Sequence, residues 1–375
     1  MAGTLFAAAV TSIAAPYLPR LLIERYPQPR WPAPGYFLKL NGTTASPKIS
    51  PVGQLDRHSR ELFETGDGRA LLIFQGKKLH VAHYSKGVTP ETKFNSYSLA
   101  KSLIGALLLK AIAERKLESL DTAISQYLSD AGDTQFRSTS VRDFARMRSG
   151  IAFKPDKIKS TAGPVPKDAR TYILNPFGPM AQLHMRGIEP LLSDLRLDQE
   201  KLDKFSYQNA NTAILATILE RAYGKPLQVL VSEKIWRPAG AADAQWRRYS
   251  ATGPVTPYCC IYATPADWLR VGLFLMRNGS QEQPFLPRKL WELYFGEHVS
   301  TANRHDGYYG IHVYQNVLDL PGNHLKGRFT FMFGSRGQVV YMMPERELVV
   351  VRFGDRVQRL HSTLRAAWKS VPLNH

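Results

Sequence analysis

The chain has 375 residues, 44% of them hydrophobic and 11% aromatic, which is enough apolar material to bury a large core and excludes a globally disordered protein. Its formal charge is +18, from 49 Lys and Arg against 31 Asp and Glu, and this excess reads as dispersed surface charge that favours anionic partners. No long basic run with interleaved aromatics and no nucleic-acid-binding motif accompanies it, so nucleic acid is not an expected partner. The two cysteines, Cys259 and Cys260, are adjacent. That excludes a disulfide scaffold, and because a bridge between neighbours is strained the expectation is a pair of buried, reduced thiols.

Residues 1–60 read as an N-terminal apolar segment and an extended lead-in. The stretch TLFAAAVTSIAAPYL at 4–18 is short for a membrane span, with small residues at Ala14 and Ala15 but no Lys or Arg ahead of it. It reads as an export signal, a clipped anchor or a helix packed on the body. The first two readings imply export to the periplasm or envelope, and otherwise the protein is cytoplasmic; association with a membrane or cell-wall surface is a further expectation. Residues 19–60 are Pro-rich and aperiodic. ALLIFQ at 70–75 and KLHVAHY at 78–84, joined by Gly76 and Lys77, predict a β-hairpin. Its His80 and His83 are three apart on a strand and face opposite ways, so no metal site is expected there.

Residues 99–114, LAKSLIGALLLKAIAE, are apolar nearly all round, the mark of a helix buried inside a domain. Ser140 and Asp143 open a short helix, VRDFARMR, which Gly150 closes. Residues 152–200 read as a long surface excursion. NTAILATILERA after Asn209 is a second helix that stops before Gly224, and TPADWLRVGLFLMR is a third, with Thr264 as N-cap and Pro265 at its first position. GQVVYMM and ELVVVRF form a hairpin about Pro344, Glu345 and Arg346, and an amphipathic helix over 355–370 closes the chain. Strands at both ends with helices between predict an α/β domain over 61–370. Its sheet would come from 65–95 and 305–370, with a helical lobe and inserted loops between.

The chemistry centres on Ser98-Leu-Ala-Lys101 at the start of the buried helix. Three residues are about one helical turn, so hydroxyl and amine share a face. A serine hydroxyl is a poor nucleophile until a base removes its proton, and a lysine serves once burial disfavours its charged form. The helix N-terminus adds a dipole favourable to developing negative charge. By itself the spacing is common, and an N-cap serine with a snorkelling lysine is the ordinary alternative. Phe205-Ser-Tyr207-Gln-Asn209 lies just before a helix, where a phenol can pass a proton and an amide can position a carbonyl. Tyr314-Gln-Asn316 repeats that spacing but falls in a strand-like stretch and ranks below it. Phe333-Gly334-Ser335-Arg336-Gly337 runs into a strand, where a glycine-exposed backbone can donate to an oxyanion.

SYSLAKS, then FSYQN, then a Gly-flanked strand resemble the three ordered motifs of the serine β-lactamase and penicillin-binding-protein superfamily. MRSGI, SLDTAISQYL, YCCIYATPADWLRVG and PERELVVVRFG extend the likeness over roughly residues 65–370, nearest to class C-related esterases and 6-aminohexanoate-dimer hydrolases. The resemblance implies a β-lactamase/transpeptidase-like α/β fold, an antiparallel sheet flanked by helices plus an all-helical lobe. It implies Ser98 as nucleophile, Lys101 as base, Tyr207 as proton-transfer partner and Asn209 as a positioning residue. The backbone N–H groups of Ser98 and Ser335 would form the oxyanion hole. The implied reaction is cleavage of a small-molecule ester or amide, without cofactor or metal. Where β-lactamases and transpeptidases carry Lys-Thr-Gly, this chain has Met332-Phe333-Gly334, which puts penicillin or D-Ala-D-Ala in doubt as main substrate and leaves Arg336 as a candidate anion contact. Two other readings stand beside the hydrolase. One is a penicillin-recognising or cell-wall-related sensor of the same fold, acylated without efficient turnover. The other is a basic surface-binding protein whose Ser-x-x-Lys is a coincidence.

Overall fold

A computed structural model describes residues 17–24, 28–43, 50–130, 137–153, 178–280, 282–296, 308–318, 325–358 and 361–364. The expected lead-in is more ordered than its prolines suggest. It carries helix α1 (Leu18–Glu24), strand β1 (Tyr36–Leu40) and helix α2 (Arg57–Thr65), the last capped by Asp56. The predicted hairpin follows as β2 (Gly68–Gln75) and β3 (Lys78–Tyr84), then a two-residue strand β4 (Phe94–Asn95) leads into α3 (Leu99–Ala113). The apolar segment at 4–18 lies almost wholly outside the described residues.

Ser140 and Asp143 form a full capping box, but the helix they start, α4 (Val141–Ala145), is shorter than the sequence implies. The helix stops at Ala145, with Arg146 as its C-cap, and Met147 just beyond takes a left-handed backbone (φ +57), so the chain turns away before Gly150. Gly150 instead sits inside strand β5 (Ser149–Phe153). The second half of the expected excursion is also structured: α5 (Pro179–Arg186) and β6 (Leu195–Leu202), the latter antiparallel to β5. Residues 154–177 of that stretch lie outside the described residues. Helices α6 (Asn209–Tyr223), α7 (Leu227–Val231), α8 (Pro265–Met276) and α9 (Arg288–Phe295) alternate with strands β7 (Ala244–Arg248) and β8 (Ile261–Ala263). Thr264 caps α8 through a second capping box with Asp267.

The C-terminal part supplies β9 (Tyr308–Tyr309), β10 (Tyr314–Leu318), β11 (Gly327–Gly334), β12 (Gln338–Met343) and β13 (Leu348–Gly354). Among the described residues they join β2 and β3 in an antiparallel sheet of order β3-β2-β13-β12-β11-β10-β9. A second sheet, β1-β7-β8-β4, was not foreseen, because its strands are short and far apart in sequence. Residues 355–358 are not helical, and most of the C-terminal helix expected beyond them falls outside the described residues.

Side chains alternate across the main sheet with a period of two. Val340, Met342, Val349 and Val351 face the larger core with α3 and α8, while Val339, Tyr341, Leu348 and Val350 face a smaller one with Phe63 of α2. The helical lobe packs α3 and α4 against α6, so α3 is buried between lobe and sheet. The expected free thiols are instead joined: Cys259 and Cys260 form a disulfide between neighbours. A left-handed backbone at Cys260 (φ +75) turns the two side chains toward each other.

One close approach fixes α3 along its axis. A Cβ on Gly105 would sit 2.0 Å from the backbone oxygen of Ile311. Helix propensity alone favours Gly105→Ala by about 1 kcal/mol, but a backbone collision of that depth costs more than propensity returns. Thermal unfolding of Gly105→Ala is therefore expected to show a Tm several degrees below wild type; an equal or higher Tm would mean that α3 is not seated this closely.

Candidate active site

Strand β4 sets the corner from which the site is built. Ser96 N–H donates to the carbonyl of Ile261 at 2.8 Å, and Ile261 N–H donates back to Ser96 Oγ at 3.0 Å. Asn95 Oδ1 accepts from Tyr97 N–H at 2.9 Å, and Asn95 Nδ2 donates to Gln28 O and Tyr262 Oη. These contacts hold Tyr97 buried at φ +45, a left-handed backbone that a tyrosine adopts only when its surroundings impose it. The turn delivers Ser98 to the N-cap position of α3. Its hydroxyl makes no capping hydrogen bond, so the ordinary role of a serine there is not the one it plays.

Ser98 Oγ lies 3.0 Å from Lys101 Nζ. The lysine is 1% exposed, and its amine also donates to the carbonyl of Tyr258 at 3.0 Å. Both partners are neutral oxygens, and the rings of Tyr207 and Tyr258 stand 5.0 Å and 5.6 Å from the nitrogen. Burial without a carboxylate partner disfavours the ammonium form and brings the lysine down to about 7. A neutral amine can donate one N–H to Tyr258 while its lone pair faces the Ser98 hydroxyl. That is the geometry of a base poised on a nucleophile.

Tyr207 enters from the segment between β6 and α6. Ser206 N–H donates to Met147 O at 2.8 Å and Gln208 Nε2 to Ile151 O at 2.9 Å, fixing the segment on both sides of the phenol. Asn209 opens α6 half-buried, but the side-chain hydrogen bonds at this corner come from its neighbours: Gln208, and Asn211, which accepts from Ser149 Oγ at 2.6 Å. The competing Tyr314 lies in β10, stacked on Phe331 and pushed up to about 12 by burial. Asn316 turns its side-chain oxygen back to the N–H of Val317.

The third motif arrives at the end of β11. A Cβ on Gly334 would lie 2.5 Å from Ser96 O and 3.3 Å from Ser98 N, so this strand end abuts the nucleophile's own amide. Met332 is buried in the main core, and Phe333 turns to the other face of the sheet, edge-on to Tyr314. Ser335 is exposed immediately beyond, followed by half-buried Arg336 (φ +64) and Gly337 (φ +77). Two successive left-handed residues need an anchor. Arg352, buried in β13, donates to Gly337 O at 2.7 Å and reaches Gly66 O with its other terminal nitrogen. Burial lowers this guanidinium to about 10.

The structure thus gathers Ser98, Lys101, Tyr207 and the Gly334–Ser335 strand end, and leaves Tyr314 outside. It adds groups that sequence reasoning missed. Tyr258 contributes through a backbone carbonyl, which no residue type signals. Tyr309 packs edge-on to Tyr207 with centroids 5.9 Å apart. His312, at φ +55, accepts from Ser102 through its carbonyl and shares a hydrogen bond between Nδ1 and Ala145 O. Burial takes its imidazole down to about 3 and keeps it neutral.

Comparison with known proteins identifies the family and the fold. A family profile described as Beta-lactamase matches residues 57–369. A structure from Bacillus anthracis, described as a candidate 6-aminohexanoate-dimer hydrolase, superposes with a TM-score of 0.69 at 20% identity, covering 89% of each chain. A penicillin binding protein from Bacillus halodurans gives 0.61 at 16% identity, covering 83% of this chain and 98% of its own. A D-aminopeptidase of Brucella anthropi is 28% identical over 193 residues. That match takes in 48% of this chain but only 33% of the relative, so the chain spans about a third of the curated relatives' length.

The buried amine makes a prediction independent of activity. The folded amine loses its proton above about 7, whereas in the unfolded chain it keeps it until near 10.5. Between these values the unfolded state binds more protons, so stability should rise with pH by up to about 1.4 kcal/mol per unit from this group. In chemical denaturation, the stability of wild type relative to Lys101→Met is expected to climb from pH 7 to 10. A flat difference would mean that the amine is not held neutral by burial.

Proposed function

Because this chain belongs to the Beta-lactamase family, we propose that it is a serine hydrolase that cleaves an ester or amide through an acyl-enzyme on Ser98. The observation that carries this reading is the 3.0 Å approach of a buried amine to a hydroxyl that caps nothing. As Ser98 Oγ attacks the carbonyl carbon, its proton passes to Lys101 Nζ. The carbonyl oxygen gains negative charge in front of the α3 N-terminus, where the Ser98 and Ser335 N–H groups stabilise it. Tyr207, whose ring lies 5.0 Å from the amine, relays the proton to the leaving oxygen or nitrogen. Water then releases the acyl group by the same proton path in reverse.

The third motif narrows the substrate. Met332 and Phe333 occupy the places where relatives that grip a carboxylate carry lysine and threonine, and neither side chain offers a charge or a hydroxyl. We therefore place penicillin and cell-wall D-Ala-D-Ala outside the main substrate range. The partial match to a D-aminopeptidase supports amide bonds as well as esters.

Steady-state hydrolysis of 4-nitrophenyl esters and anilides tests the assignment. Ser98→Ala should abolish turnover, Tyr207→Phe should lower kcat about a hundredfold, and Tyr314→Phe should leave it within a few-fold. Labelling of Ser98 by a fluorophosphonate with no turnover of any ester or anilide would favour an acylated sensor instead. Full activity in Ser98→Ala would end the proposal.

A further inference from the structure

Large apolar side chains are exposed beside the candidate nucleophile, where a soluble protein would otherwise bury them. Phe205 is 48% exposed and Tyr207 39%. Both pack on Tyr309, with ring centroids 5.4 Å and 5.9 Å away, and Tyr309 leans in turn on Tyr314 at 4.8 Å. The three rings form a ledge whose inner end is Tyr207, over the Lys101 amine. The ledge is held rigidly: Ser206 and Gln208 tie its segment to Met147 and Ile151, and β9 pairs Tyr309 to Tyr314. Burial raises the Tyr309 phenol well above its ordinary range, so the ring stays neutral. Beside the ledge, the Arg146 guanidinium lies 5.5 Å from the ring of Tyr308, the chain neighbour of Tyr309.

We propose that this ledge binds the leaving half of the substrate, and that this half is an uncharged apolar or aromatic alcohol or amine. The inference rests on the hydrolase reading above, because it takes its direction from Tyr207. The phenol that returns a proton to the leaving atom must face that atom, so whatever the atom carries extends outward past Tyr207 and over Phe205, with Tyr309 buried behind both rings. Flat rings offset or edge-on to an aromatic group supply contact area and quadrupole complementarity together. The Arg146 guanidinium, over Tyr308 beside the ledge, disfavours a cationic leaving group. Phe205 is then a specificity-determining residue, since half its surface is free for the substrate.

Two substrate series separate the halves. In the first, acetyl is fixed and the leaving group runs from phenyl to 4-hexylphenyl, which lengthens the apolar contact at nearly constant leaving-group acidity. In the second, 4-nitrophenol is fixed and the acyl chain runs from acetyl to octanoyl. Wild-type kcat/KM should rise along the first series. In Phe205→Ala the ratio of 4-hexylphenyl to phenyl acetate should fall about tenfold, as expected for losing one ring's apolar contact, while the slope of the second series stays as in wild type. Val52→Ala, exposed and remote in sequence, should alter neither slope. An unchanged first slope in Phe205→Ala, a change confined to the acyl series, or a wild-type preference for an ammonium-bearing leaving group would each overturn the proposal. Failure of the hydrolase reading would look different: no Ser98-dependent turnover in either series.

Discussion

The site depends on one unfavourable burial. Among the described residues, a lysine amine is enclosed at the start of α3 with a hydroxyl and a carbonyl oxygen for partners. A carboxylate in either place would restore the charge and with it a base too weak to accept a proton at neutral pH. Burial costs the fold stability at low pH, and the large apolar core around α3 offsets that cost. The helix could not perform this task at a surface. Its apolar character on nearly every side is what keeps water from the amine.

Around this amine the backbone is bent into place rather than merely folded there. Tyr97 before the nucleophile, His312 beneath the helix, and Arg336 with Gly337 beyond the strand end all occupy left-handed conformations. Each is held by a specific partner: Asn95 for Tyr97, Ala145 O for His312, and the buried Arg352 for the Gly337 turn. Backbone conformations that each need a specific restraint, beside the nucleophile at Tyr97 and along the strand end at Arg336, fit a preorganised site. The seven-stranded sheet supplies the far wall, since the end of β11 meets the Ser98 amide where only a glycine fits.

Much of this was legible in the sequence because it rests on short-range spacing. Ser98 and Lys101 are one turn apart, and the run that follows is apolar all round, so their proximity and burial could both be read before any coordinates. The hairpins at 70–84 and 337–353 were legible from alternation and turn residues, and together they define the sheet. Long-range and backbone features were not. Nothing in the residue type of Tyr258 signals that its carbonyl restrains the lysine. The second sheet brings together strands as distant as Tyr36–Leu40 and Ile261–Ala263. The turn at Cys260 that lets neighbouring Cys259 and Cys260 pair is a backbone feature that no residue type signals. Likewise Met147, just beyond the end of α4, takes a backbone conformation that its side chain does not advertise.

The most direct test is the pH dependence of the rate at which a fluorophosphonate modifies Ser98, since that step needs the base but neither a natural substrate nor deacylation. The rate should rise along a single limb with a midpoint near 7, where burial places the amine, and the limb should vanish in Lys101→Met. A midpoint near 10, as for a lysine in water, or a limb that survives removal of Lys101, would contradict the account.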